Sequence, residues 1–350
     1  MVYIVFEFGG VKLKKILILL LSVSLALGLM GIAYFLYQEK IENTSDELVG
    51  IEREPSYYEK DIEFKDDKIY ILKLGEKIQI FMKNEDLDNF VGYTLSREKA
   101  SRNDSSLSSN YDVMRITNAA AYEIGSDNRF NKIFDITNDK EWEFAIKEEG
   151  TNDFIGGATH GDEILNEFAI EVDNKQMDVN ENIMYQESNE LIISATSDLY
   201  RDSSTTEDLE KVATRDVIYT FNADGLNVSQ QIDFVDDMVI ERSYLAMLPI
   251  LRDKNGVQIT DTVFDNNDVS DNDFNQTYTE LSEASITGEE KNLSATMSIE
   301  EKSLESPSIF FVSNSEAYNK LYFTYSEDGH NVSDGDVWSQ NTLYDIRINK

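Results

Sequence analysis

Along most of the chain, apolar and polar residues alternate with a period of two. In "EWEFAIKE", Trp142, Phe144 and Ile146 alternate with Glu141, Glu143 and Lys147. "EFAIEV" sets Phe168, Ile170 and Val172 on one face, and "LNVSQQIDF" does the same with Leu226, Val228, Ile232 and Phe234. "NLSATMSI", "KIYILKL", "KIQIFM", "DVIYTF", "SIFFVS", "LYFTY" and "LYDIRI" continue the pattern. Such alternation builds half-buried antiparallel strands with one face on a core and one in water. Asn, Asp and Gly separate the runs, as in "NADG" at Asn222–Gly225, and mark turns.

One segment reads as a helix: "TTEDLEKVAT", with Thr205 or Thr206 as N-cap and Leu209, Val212 and Ala213 on one face. A parallel α/β fold needs a helix between most strands, and the chain does not supply them. The expectation is therefore an all-β fold, a large antiparallel β-sandwich, from about Asp61 to Ile348. Trp142, Phe144, Phe168, Ile170, Phe221, Val228, Ile232 and Phe234 are expected in its core. In size and strand content it is similar to galactose-mutarotase-like supersandwiches, a likeness that carries no function by itself.

The N-terminal part breaks the pattern. Ile16 to Tyr37 contains no charge, follows Lys12, Lys14 and Lys15, and precedes Glu39, Glu42, Asp46 and Glu47. As a helix it would be roughly 33 Å long, enough to cross a hydrocarbon core of about 30 Å. Basic before and acidic after predicts a cytoplasmic N-terminus and an exported body. A cleaved signal peptide ending near Ser24-Leu25-Ala26 is the rival. The apolar run continues well past Ala26, however, and ends in Tyr34, Phe35 and Tyr37, which suit a membrane interface. The expected organisation is a cytoplasmic segment over 1–15, a transmembrane signal-anchor over 16–37, a polar stalk over 38–58, and an extracytoplasmic β domain over 59–350.

Composition narrows the partners. The 350 residues hold 31 Lys and Arg against 67 Asp and Glu, a formal charge of -36. A groove for nucleic acid needs clustered cations, so nucleic acid is excluded as an expected partner. With no cysteine, disulfides, thiolate metal sites and thiol nucleophiles are excluded too. At 41% hydrophobic and 11% aromatic residues, the chain can still bury a core.

Candidate chemistry centres on "GGATHGDE", Gly156–Glu163, which holds one of only two histidines. Gly156, Gly157 and Gly161 permit backbone angles closed to other residues and allow a close approach. His160 with Asp162 and Glu163 offers an imidazole beside two carboxylates, suited to sugar hydroxyls, proton transfer or a cation. The plain alternative is a tight turn tied down by its own polar side chains. In "RSYLAMLPILRD", Arg242, Tyr244 and Arg252 could hold a hydroxylated or carboxylated ligand. The simpler account there is a core strand ending at Pro249, with arginines at its ends. Acidic loops at Asp265–Asp273 and Glu327–Asp336 suggest at most a structural calcium, since neither keeps EF-hand spacing. No other cofactor is implied. His330 is expected at the surface, and Trp142 and Trp338 could stack on sugars or fill the core.

Three functions fit these features. The first is a membrane-anchored protein binding a carbohydrate or cell-envelope ligand without turnover. The second is a polysaccharide lyase or glycoside hydrolase using His160 with Asp162, Glu163 or Glu167. The third is an envelope assembly protein with no small ligand. They separate at the loop: an enzyme needs His160 facing a cleft with a carboxylate within reach, a binder could use aromatic faces elsewhere, and an assembly protein needs no cleft of that kind.

Overall fold

A computed structural model describes residues 64–348, except 85–88, 101–110, 127–128, 139–141, 143, 152–153, 161, 202–209, 252, 255–256, 259–276, 280–281, 289–291, 304–308, 315–317 and 325–328. The candidate anchor Ile16–Tyr37, the stalk, Gly161, Arg252 and the loop Asp265–Asp273 lie outside the described residues. Among the described residues no helix is long and apolar enough to cross a membrane. Lys60–Lys350 clusters as one compact unit.

The described body is almost entirely strand. It opens with β1 (Ile69–Leu74), β2 (Lys77–Lys83), β3 (Asn89–Ala100), β4 (Tyr111–Ile124), β5 (Phe130–Asn138) and β6 (Ala145–Glu148). A single turn, α1 (Gly157–His160), leads into β7 (Glu163–Val172), β8 (Lys175–Met177), β9 (Ile183–Ser188) and β10 (Leu191–Tyr200). Then come β11 (Lys211–Asn222), β12 (Gly225–Phe234), β13 (Met238–Tyr244), β14 (Ala246–Leu251), β15 (Asp253–Lys254) and β16 (Val257–Gln258). The last are β17 (Thr277–Thr279), β18 (Glu283–Gly288), β19 (Leu293–Lys302), β20 (Ile309–Asn314), β21 (Tyr318–Thr324), β22 (His330–Val332) and β23 (Val337–Ile348).

One sheet organises the fold, in the order β18-β19-β23-β12-β11-β10-β7-β4-β3-β2-β1-β9, with β5 on β4 and β8 on β7. Its pairings are antiparallel except where Tyr111 and Asp112 of β4 meet Glu163 and Ile164 of β7 in parallel. That short junction is a corner. Tyr93 of β3 and Phe221 of β11 stand four strand spacings apart, about 19 Å in a flat sheet. Their rings nevertheless lie 5.6 Å apart. Asn84, just after β2, accepts a hydrogen bond from Ile348 N–H at 3.2 Å, although seven spacings separate β2 from β23. The sheet has folded over so that its two wings face each other. This is a sandwich.

Between the wings lies the main core, including Ile80, Tyr93, Trp142, Tyr219, Phe221, Val228, Phe234 and Tyr344. Tyr219 Oη donates to the Met114 carbonyl across the core at 3.3 Å. The residues expected there are buried, with Phe168 partly buried against the cluster. A second apolar layer, Tyr70, Leu72, Phe81, Phe90, Ala120 and Tyr122, covers the other face of β1–β4, and Phe130 stacks on Phe81 at 3.9 Å. β1 is thus buried on both faces, unlike the half-wet strand its alternation suggested. Gly92 makes room for this layer, because a Cβ there would lie 2.5 Å from the Tyr122 ring.

Two other expectations are corrected. Val212 and Ala213 are not helical: they lie buried in β11, which pairs along its length with β10 and β12. Ladder bonds on two sides outweigh the modest helix preference of "EKVA". Nor does the strand in "RSYLAMLPILRD" end at Pro249. β14 continues to Leu251 with every residue buried. It is an edge strand of the sheet β14-β21-β20-β17, so the missing proline N–H costs no ladder bond on the open side.

Candidate functional site

The glycine-rich segment is pinned at both ends. Ile155 bridges back to Ile146 through two backbone hydrogen bonds, of 3.0 and 2.7 Å. Gly156 follows at φ +109°, where a Cβ would stand 2.5 Å from the Phe144 ring, so only glycine fits. Gly157, at φ 70°, starts the single helical turn that ends at His160. Asp162 is also left-handed, at φ 55°, and its carbonyl accepts Tyr200 N–H at 2.9 Å.

Glu163 is drawn inward by a bulge. Pairing between β7 and β10 slips between Thr196 and Ser197, so the inward phase set by Ile170 and Val172 reverses before Leu165 and Glu163. The Glu163 side chain is 2% exposed and accepts hydrogen bonds from Gly157 N–H at 2.7 Å, Ser197 Oγ at 2.6 Å and Arg215 Nη1 at 2.9 Å. Arg215 also donates to Gln230 Oε1 at 3.2 and 3.1 Å and lies 5.0 Å over the Phe144 ring. Gln230 in turn donates to the Leu245 carbonyl. A buried charge needs this kind of full pairing. Glu163 therefore ties the loop to the core from beneath.

His160 contacts a different group of side chains. Its half-buried ring lies 4.9 Å from Phe154, which stacks on Tyr244 at 5.5 Å and 20°. Tyr244 meets Tyr322 of β21 at 4.6 Å, and Lys320 Nζ stands 4.9 Å from the Tyr322 ring. Exposed Arg242 reaches the Tyr244 hydroxyl at 3.4 Å. Four part-exposed rings from the loop, β13 and β21 thus form one row, with His160 at one end and cations along it.

The remaining candidates are scattered. Asp162 is 2% exposed, and Glu167 is exposed on β7 opposite Thr196. Both tryptophans are buried, so neither offers an open face to a sugar. His330 begins β22, half-buried, with its ring 5.6 Å from Trp338. Among the described residues no group of three or more His, Asp or Glu side chains stands close enough to hold a metal ion.

Sequence reasoning brought His160, Arg242 and Tyr244 forward; it missed Phe154, Tyr322 and the Arg215 network. Arg215 did leave a signal. It falls in phase with Ala213, Val217, Tyr219 and Phe221, on the apolar face of its strand, as Gln230 does between Val228 and Ile232. Phe154 and Tyr322 carry no such mark, because aromatic residues are common in strands.

No family model matches the chain, and no curated protein matches its sequence. Solved structures resemble it weakly. A GH36 α-galactosidase from Geobacillus stearothermophilus shares 7% identity at a TM-score of 0.40, over 77% of this chain and 41% of its own. A galactose mutarotase-like protein from Clostridium acetobutylicum shares 7% identity at a TM-score of 0.40, over 81% of this chain and 100% of its own. A protein from Synechocystis shares 11% identity at 0.33, over 83% of this chain and 100% of its own. This chain spans less than half of the α-galactosidase. At these scores the likeness assigns neither family nor function.

Proposed function

We propose that the chain is a membrane-anchored, extracytoplasmic β-sandwich protein that binds a carbohydrate or cell-envelope ligand, without turnover, along the row His160–Phe154–Tyr244–Tyr322. The row itself is the observation that carries this reading. Three separate segments converge to hold four part-exposed rings together, with the Arg242 guanidinium at the Tyr244 hydroxyl. Rings with polar tips offer apolar contact and hydrogen bonds at once, which a hydroxyl-rich ligand requires. Arg242 supplies further planar donors. The formal charge of -36 favours a ligand that is not strongly anionic.

Binding is favoured over turnover because the nearest carboxylates in sequence are occupied or enclosed. Glu163 is committed to Arg215, Ser197 and Gly157, and Asp162 is buried. A proton-transfer partner for His160 would need to reach the same ligand atoms. Anchoring rests on the uncharged run Ile16–Tyr37 and its flanking charges. Purified full chain is to be tested in pull-downs with insoluble envelope polysaccharides, alongside Tyr244→Ala and Phe154→Ala. Retention of the wild type and loss in both variants, with the polysaccharide uncut, is the expected result. Equal retention of all three, or release of soluble fragments, contradicts the proposal.

A further inference from the structure

On the outer face of β1–β4, which shares no residue with the aromatic row, apolar side chains reach the surface. Tyr70, Phe81, Phe90 and Tyr122 form a buried layer there, and Phe64, Phe130 and Tyr185 lie over it part-exposed. Phe64 is fastened in place. Its ring stands 4.8 Å from Tyr70, 5.2 Å from Phe90 and 5.4 Å from Phe130, and its carbonyl accepts Lys83 Nζ at 3.4 Å. The next residue, Lys65, donates its N–H to Tyr70 Oη at 2.7 Å.

Two bulges shape the margins of this face. Pairing of the edge strand β9 with β1 slips between Ile71 and Lys73, and within the slip Tyr185 sits at φ 47°. That left-handed angle is unfavourable for a bulky side chain and persists only where the surroundings enforce it. The ring it places lies 5.6 Å from Phe130 and 6.4 Å from Phe81, and the neighbouring Met184 is 39% exposed. On β5 the pairing with β4 slips around Ile133, which is 50% exposed between Lys132 and Phe134.

Charge and tethering both suit this face to a bilayer. In a chain of formal charge -36, three lysines at its rim are each matched by one carboxylate. Lys65 pairs with Glu187 at 2.7 Å, Lys83 with Asp66 at 2.7 Å and Lys132 with Asp135 at 3.1 Å, so head groups meet little repulsion here. Aromatic rings with lysines around them settle at the level of lipid head groups, the rings amphipathic and the lysine stems laid along apolar surface. Residues 38–63 alone separate the anchor read in Ile16–Tyr37 from Phe64, which keeps a bilayer at high local concentration beside this face. Resting on that anchor, we propose that the face bearing Phe130, Ile133, Met184 and Tyr185 lies on the membrane surface and orients the body upon it.

The chain has no cysteine, so single fluorescent labels can be placed cleanly. One goes on Met184→Cys and a control on Ile218→Cys, whose native side chain is 41% exposed on β11. The full chain is reconstituted in phosphatidylcholine vesicles carrying head-group nitroxides, and flotation after alkaline carbonate reads the anchor separately. The label at 184 is expected to lose severalfold more fluorescence to the nitroxide lipid than the label at 218, and to resist aqueous iodide. Tyr185→Gly removes the ring and the strained angle together, so it should preserve the fold while cutting that margin severalfold. A chain that fails to float overturns the anchor and this proposal with it. A floating chain whose two labels are quenched alike, or whose margin is unchanged in Tyr185→Gly, overturns this proposal alone. So does a label at 184 shielded from iodide yet untouched by the nitroxide lipid, which would give the face to a second copy or to the chain's own stalk.

Discussion

Arg215 donates to Glu163 at 2.9 Å inside the sandwich, where the two side chains are only 4% and 2% exposed. The pair sits at the corner where the sheet turns, since Glu163 is also the first β7 residue paired with β4. It holds the corner and, through Gly157, the loop that carries His160. Removing one partner of a buried pair strands the other charge and costs about 3–5 kcal/mol. Arg215→Met should therefore lower unfolding free energy by about that much in urea melts. Arg215→Met with Glu163→Gln should recover a large part of it, because no charge is left buried. Equal losses in the single and double variants would show that the ion pair is not what holds the corner.

Much of the sandwich is legible in the sequence, and the site only in pieces. Alternation over Trp142–Ile146, Phe168–Val172 and Leu226–Phe234 gives the core directly, because one face of each strand meets the opposite wing. Extrapolating the phase of Phe168 and Ile170 back to Glu163 places that carboxylate in water. The bulge beside Asn166 reverses the phase, and a single inserted residue leaves no mark in composition. The row of rings was hidden for a different reason. Phe154, Tyr244 and Tyr322 come from distant segments, and only the pairing of β13 with β6 and of β14 with β21 brings them together.

Alkaline pH should expose the outer aromatic layer. Burial pushes the Tyr122 phenol from 10.0 up to about 12, and Tyr93 is pushed up in the same direction. The unfolded chain can lose these protons near pH 10 while the fold retains them. Stability is therefore full below about pH 10 and is lost as pH rises from there through about 12. Urea midpoints should fall between pH 9 and pH 11, and Tyr122→Phe should reduce the fall. An identical fall in Tyr122→Phe would assign the loss to other groups.

If Ile16–Tyr37 is a retained anchor, native protein should sediment with membranes and resist extraction by high salt and alkaline carbonate. Protease added outside intact cells should then digest the body. A soluble mature chain beginning near Leu27 would identify the run as a cleaved signal instead.

Ligand binding along the aromatic row is the central claim, and the chain's two histidines allow it to be read directly. His160 ends the row, whereas His330 lies against Trp338. The measurement is a proton–nitrogen NMR titration of the imidazole resonances of the full chain with soluble envelope oligosaccharides, repeated with Tyr244→Ala. The account predicts that the His160 signals shift saturably, that those of His330 stay in place, that Tyr244→Ala weakens the response roughly tenfold or more, and that the oligosaccharide remains intact. Unmoved His160 signals, or a response confined to His330, would contradict it.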